Sequence, residues 1–146
     1  MAAGEDDAGK WVRMSIDRSH YRTVMHVRAH AVILDEPVGL GEDSGPTPYE
    51  LLLGALGGCT AMTLRMYADR KGWPLEAAHV RMRTASEHGA DCEVCETDEV
   101  GPHHIERQIE LVGPLTDDQR KRLLLIAERC PVKQALEHGI HIIEES

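Results

Sequence analysis

The chain of 146 residues suits one domain, long enough to bury about two thirds of its unfolded surface. A net charge of −9, with a pI of about 5.4, argues against a nucleic-acid surface and against an anionic-membrane partner. Hydrophobic content of 42%, charged content of 28% and 3% aromatics without any Phe describe a soluble protein whose core is built from Leu, Ile, Val, Met and Ala.

Residues 1–10 are small and acidic, with neither the pattern of an export signal nor enough apolar surface to fold. They are expected to be a disordered tail before a single α+β domain over 11–146, in a cytoplasmic protein. Val12, Met14 and Ile16 alternate with Arg13, Ser15 and Asp17, and Tyr21, Thr23, Met25 and Val27 alternate with Arg22, Val24, His26 and Arg28. That is the period of two half-buried strands joined by a turn at Asp17 to His20. His30 to Leu34 is a third extended piece. The segment that follows, 35–46, is rich in turn residues; it lacks the G-x-x-x-x-G-K-[ST] pattern and holds Glu42 and Asp43, so it reads as a turn and not a phosphate loop.

The stretch T-P-Y-E-L-L-L-G-A-L-G-G-C-T-A-M-T-L-R-M-Y-A-D-R-K-G begins with a helix cap: the Thr47 hydroxyl, Pro48 at the first helical position, and Glu50 placed to close a capping box. Lys71 and Gly72 give a cationic end and a residue free to turn left-handed, so the helix is expected over Pro48 to Lys71. Leu51 to Met62 carries no charge on any face, which predicts a buried central helix. Gly54, Gly57 and Gly58 each cost about 1 kcal/mol relative to Ala inside a helix, which predicts that some other group approaches closely near Cys59. Val80, Met82 and Thr84 alternate with Arg81 and Arg83, and Ile105, Ile109 and Leu111 with Glu106, Gln108 and Glu110, giving a hairpin whose long tip is the acidic stretch Ser86 to His104. Thr116 and Gln119 frame a second capping box for a helix over Asp117 to Arg129. Cys130 precedes Pro131 and must leave the helical region; Pro131 then opens a short helix to His138, stopped by Gly139. Ile140, Ile142 and Ile143 are expected to form a last strand.

Four cysteines without an export signal point to reactive or metal-bound thiols more than to structural bridges. Cys59, in mid-helix, is either a small hydrophobe or a nucleophile; about three turns from the helix start it lies beyond the macrodipole, so activation needs a cation or donor, with Arg22, Arg28 and Arg65 available. Cys130 sits at the N-cap of the short helix, where free amide N–H groups favour a thiolate. Cys92 and Cys95 form C-x-x-C with His88 before and His103 and His104 after, a set able to hold zinc. A redox dithiol and a solvated loop are the other readings, and the surrounding acidic residues disfavour an unmetallated thiolate.

The central stretch, followed by C-P-V-K-Q-A-L from Cys130, resembles the OsmC/Ohr family of osmotically induced and organic-hydroperoxide-resistance proteins, nearest to its YhfA-like members. The resemblance spans Tyr21 to Ile143. It implies an OsmC-like α+β fold with a long buried central helix, a second helix and antiparallel strands in an intertwined homodimer. It also implies a peroxiredoxin-like organic hydroperoxide reductase in which Cys59 attacks the peroxide and Cys130 resolves the sulfenic acid to a disulfide. A lipoyl or thioredoxin-like dithiol then reduces the pair, with no cofactor required. The family's catalytic Glu falls at Tyr49, with Glu50 one step on and about 100° around the helix; its Arg has Arg22 and Arg28 as counterparts, and Tyr49 is a substitute donor. The acidic C-x-x-C loop departs from typical members. The rival function is a non-enzymatic binding or redox-sensing protein on the same fold, with zinc in the Cys92/Cys95 loop.

Overall fold

The computed structural model describes residues 11–18, 20–85 and 104–144. The chain divides into two compact units, 1–52 and 53–146. The tail at 1–10 and the loop carrying His88, Cys92, Cys95 and His103 lie outside the described residues.

In the first unit, β1 (Arg13–Ile16), β2 (Thr23–Val27) and β3 (His30–Leu34) form an antiparallel meander in that order. Met14 pairs with Met25, which pairs with Val32. Arg28 closes the β2–β3 turn at φ 51°. The strands are where alternation put them, but the half-burial expected of β1 is not found: Met14 and Ile16 are both exposed. Beyond β3 the loop is organised by a buried carboxylate. Asp35 accepts hydrogen bonds from the Ser44 hydroxyl at 2.6 Å, the Ser44 amide at 3.1 Å and the Glu36 amide at 2.8 Å. The Ser44 hydroxyl bond leads these in holding the Asp35 pKa below its ordinary value against the opposing effect of burial. Gly45 is needed where it stands, because a Cβ there would meet the Ile33 carbonyl oxygen at 2.1 Å.

Helix α1 (Pro48–Lys71) starts in the first unit and continues into the second. Its capping box is formed as expected, with the Glu50 amide donating to Thr47 Oγ1 at 3.2 Å and the Thr47 amide donating to Glu50 Oε2 at 2.9 Å. It ends in a Schellman motif: Gly72 has φ 66°, and the Trp73 and Gly72 amides reach back to the carbonyls of Ala68 and Asp69.

In the second unit, β4 (Ala77–Ala85) and β5 (His104–Val112) form an antiparallel hairpin, followed by α2 (Asp117–Ala127) and α3 (Pro131–His138). Leu64 and Ala68 of α1 pack with Leu75, Leu115, Leu123 and Ala127, and the sheet adds Ala78, Ile109 and Leu111. Three expectations need correction. First, α1 is not buried all round: Leu56, Thr60, Leu64 and Ala68 form one buried stripe, while Met62 and Met66 are 67% and 60% exposed. By length and composition alone α1 would also pass for a membrane span; its stripe packs instead into the core of this unit. Second, among the described residues no group beyond the helix's own nearby backbone lies within 4 Å of a Cβ placed at Gly54 or Gly58, and Gly57 meets Met82 and Val80 only at ordinary contact distance. Third, Ile140, Ile142 and Ile143 form no strand; they are exposed and have no ladder partner among the described residues. Alternation marks a segment that can pair, but pairing needs a neighbouring edge.

Candidate active site

Two helices bring two sulfurs together. Cys59 lies midway along α1, next to the buried Thr60, and is half-buried. Cys130 lies at the break between α2 and α3 and is fully buried. The break follows from the sequence: Pro131 forces Cys130 to extended backbone, φ −54° and ψ 122°, and supplies the first residue of α3. The last turn of α2 tightens, with the Arg129 amide bonding to Ile126 at 2.9 Å and the Cys130 amide to Ala127 at 3.4 Å.

The two thiols shift each other's acidity, and their environments pull their acidities apart. Burial raises the Cys59 pKa above that of an ordinary thiol, and its bond to Cys130 raises it further, against the smaller effects of the Val132 amide and the Thr63 hydroxyl. Burial also pushes Cys130 up, but the bond from Cys59, the amides of Lys133 and Val132 and the Thr60 hydroxyl outweigh it, and its pKa lies below the ordinary value. Of the two sulfurs, Cys130 is thus the one favoured as the anion. The amides favour the Cys130 thiolate as a field at the start of α3, without closing a cap hydrogen bond. Thr60 has one proton and two candidate acceptors: it donates to the Leu56 carbonyl at 2.9 Å, and rotation about its Cβ–Oγ1 bond can turn the same proton to the Cys130 sulfur.

The other candidates have local roles. Glu50 is engaged in the α1 cap. Tyr49 is exposed on the same first turn. Arg22 stands just before β2 and Arg28 in the β2–β3 turn, both exposed. Arg65 bonds to Asp69 at 3.1 Å and to the Glu76 carbonyl at 3.2 Å. His104 opens β5, and among the described residues no cluster of three or more His, Cys, Asp or Glu could hold a metal.

Sequence reasoning missed Thr60, whose signal was its place beside Cys59 on an otherwise apolar stripe. It also missed Arg107. That residue occupies a half-buried position of β5, in phase with Ile105, Ile109 and Leu111 and out of phase with the exposed Glu106, Gln108 and Glu110. A charge in the apolar phase of a strand is the signal that could have found it.

A family model described as OsmC-like protein matches residues 41–145. Among solved structures, an OsmC-like protein from Mycoplasma pneumoniae aligns with TM-score 0.71 at 17% identity, over 86% of this chain and 85% of the other. An organic hydroperoxide resistance protein OsmC from Legionella pneumophila aligns with TM-score 0.59 at 16% identity, over 86% and 87%. An OsmC-like hydroperoxide resistance protein from Jannaschia sp. CCS1 aligns with TM-score 0.51 at 21% identity, over 88% and 85%. No curated protein sequence matches the chain. At these identities the structural likeness is one of fold.

Proposed function

The chain belongs to the OsmC-like protein family, and on that premise we propose that it is a thiol-dependent peroxidase that reduces small organic hydroperoxides through Cys59 and Cys130. The observation that carries this reading is the contact of the two sulfurs, one half-buried and one fully buried, with opposite shifts in acidity. The names of the Legionella and Jannaschia proteins, both hydroperoxide resistance proteins, agree with it.

The chemistry divides between access and acidity. A peroxide reaches Cys59, because Cys130 presents no surface. The Cys59 proton passes to the Cys130 thiolate, and the Cys59 thiolate attacks the distal peroxide oxygen. The O–O bond breaks, leaving a Cys59 sulfenic acid and an alkoxide that takes a proton from water to become the alcohol. The Cys130 thiol then condenses with the sulfenic acid, water leaves, and the disulfide is the two-electron-oxidised form of the pair, its two electrons having passed to the peroxide. A dithiol reductant of lipoyl or thioredoxin type restores both thiols by exchange. The cycle requires no metal or organic cofactor, and its setting is cytoplasmic defence against oxidative stress.

A homodimer completes the reading. Met62 and Met66 leave an apolar face of α1 uncovered, Gly54 and Gly58 leave it flat, and the C-terminal isoleucines are in want of a sheet edge; a second copy answers all three. Steady-state assays with cumene hydroperoxide test the activity, using dihydrolipoamide or a thioredoxin system as reductant. Sustained turnover with one of them is expected. Loss of thiols without turnover would favour a redox sensor instead.

A further inference from the structure

The joint between α2 and α3 holds an ion cluster that none of the chemistry above uses. Arg107, in the apolar phase of β5, has a side chain only 15% exposed and ion-pairs through Nη2 with Glu128 Oε1. Its Nη1 donates to the Ala127 carbonyl at 3.4 Å, at the last residue of α2. The other carboxylate oxygen of Glu128 meets Lys133 Nζ at 2.8 Å, and Lys133, 21% exposed, also pairs with Glu137 at 2.6 Å. Glu128 is the C-cap of α2 and Lys133 lies in the first turn of α3. One carboxylate therefore ties the sheet, the end of one helix and the start of the next.

Cys130 lies between Glu128 and Lys133. The backbone alone holds it loosely, through a Cys130 amide bond of 3.4 Å and the Gln134 amide on its carbonyl at 3.1 Å. A guanidinium in the apolar phase of a strand carries a desolvation cost that an aliphatic residue would avoid, and what that cost obtains here is a fixed angle at the joint.

We infer that Arg107, Glu128 and Lys133 form a clamp that positions the Cys130 sulfur for closure of the disulfide with Cys59. The inference rests on the reading that these cysteines are a redox pair. The three residues are positioning residues; none touches either sulfur through its side chain in the contacts described. Closure demands Cα atoms within about 7 Å and a narrow range of side-chain angles, so a joint free to swing lowers the effective concentration of one thiol at the other.

Effective concentration is measured by equilibrating the full-length protein in glutathione redox buffers, quenching by alkylation, and locating the disulfide by mass spectrometry. Glu128→Gln and Arg107→Gln are expected to lower it at least tenfold, with partial return in Arg107→Lys. Should the single variants fail to fold, Arg107→Met combined with Glu128→Leu replaces the ions with apolar contact and keeps the fold; it is expected to melt as wild type does and still lose at least tenfold. A value within twofold of wild type in any of the folded glutamine variants or the double variant overturns the clamp. A merely structural role would lower the melting temperature and leave this equilibrium unmoved. The readout needs no peroxide: a wild-type disulfide that closes in glutathione but reacts slowly with hydroperoxide would sink the peroxidase reading and leave the clamp standing.

Discussion

The middle of α1 and the α2–α3 joint each present one thiol, and they equip it in opposite ways. In α1 every backbone amide near Cys59 is spent on the helix ladder, so the sulfur gains little stabilisation as an anion, but its half-burial leaves it reachable. At the joint the chain has just broken, amides at the start of α3 are free, and the Cys130 sulfur is stabilised as an anion where nothing from outside can touch it. Access and acidity are properties of different secondary-structure positions. A pair of cysteines in contact obtains both, where one cysteine in either place would have only one.

The largest expected effect removes one side of this division. Cys59→Ser should reduce peroxide consumption by roughly a thousandfold or more, to the level of unassisted thiol chemistry, since Cys130 alone is enclosed. Cys130→Ser should still consume peroxide but halt after one oxidation per chain, with Cys59 found by mass spectrometry as sulfenic or sulfinic acid. Rapid turnover by Cys59→Ser would invert the assignment.

Next comes the proposed dimer. Met62→Asp places a charge on the uncovered face of α1 and should shift sedimentation from twice the chain mass of 16.2 kDa to a single chain. An unchanged mass would mean that this face does not meet a second copy.

The pH profile sharpens the comparison. Because Cys130 is the more acidic partner, the acid limb of the oxidation rate should lie below the ordinary thiol range in wild type. In Cys130→Ser it should move to alkaline pH, since burial raises Cys59 and no thiolate remains to take its proton. Thr60→Val, which keeps the shape and removes one donor from the Cys130 thiolate, should shift the limb upward by less than Cys130→Ser does. The clamp carries its own signature in stability. Glu128 is held below its unfolded value, chiefly by the Lys133 hydrogen bond, so its contribution is present above about pH 4.3 and is lost as pH falls through the folded pKa. Lys133 is held above its unfolded value, chiefly by Glu128; its contribution is present below about pH 10.4 and is lost as pH rises through the folded pKa. Glu128→Gln should remove this part of the acid-side loss in urea titrations.

The smallest effect is a control away from both thiols. Thr116→Ala removes the α2 cap, whose hydroxyl accepts from the Gln119 amide at 3.1 Å, and should cost about 1 kcal/mol of stability with no change in thiol chemistry.

The helix starts and most strand positions were legible. Thr47 and Gly72 bound α1 where the structure has it, the Thr116 cap starts α2, Pro131 starts α3, and His30 to Leu34 form β3. Each of these rests on interactions within a few residues, which a sequence displays. The joint around Cys130 was legible for the same reason, as a residue before a proline and at a helix start. What depends on distant partners was not. That Cys59 and Cys130 meet came only from the family resemblance, because nothing near either residue encodes it. Arg107 passed as one more polar residue of a strand until its phase was set against Ile105, Ile109 and Leu111. The exposure of α1 and the unpaired isoleucines show the opposite case, where the pattern announces burial and one chain alone does not supply it.

In the proposed function, pairing a reachable thiol with an acidic one makes a peroxidase. Stopped-flow oxidation of the reduced protein by one equivalent of cumene hydroperoxide, with the product digested and its disulfide located by mass spectrometry, tests it most directly. Both thiols of the Cys59–Cys130 pair are expected to be lost far faster than a free thiol reacts, ending in a disulfide between them. Oxidation no faster than that of free cysteine, or a disulfide involving other residues, would contradict it.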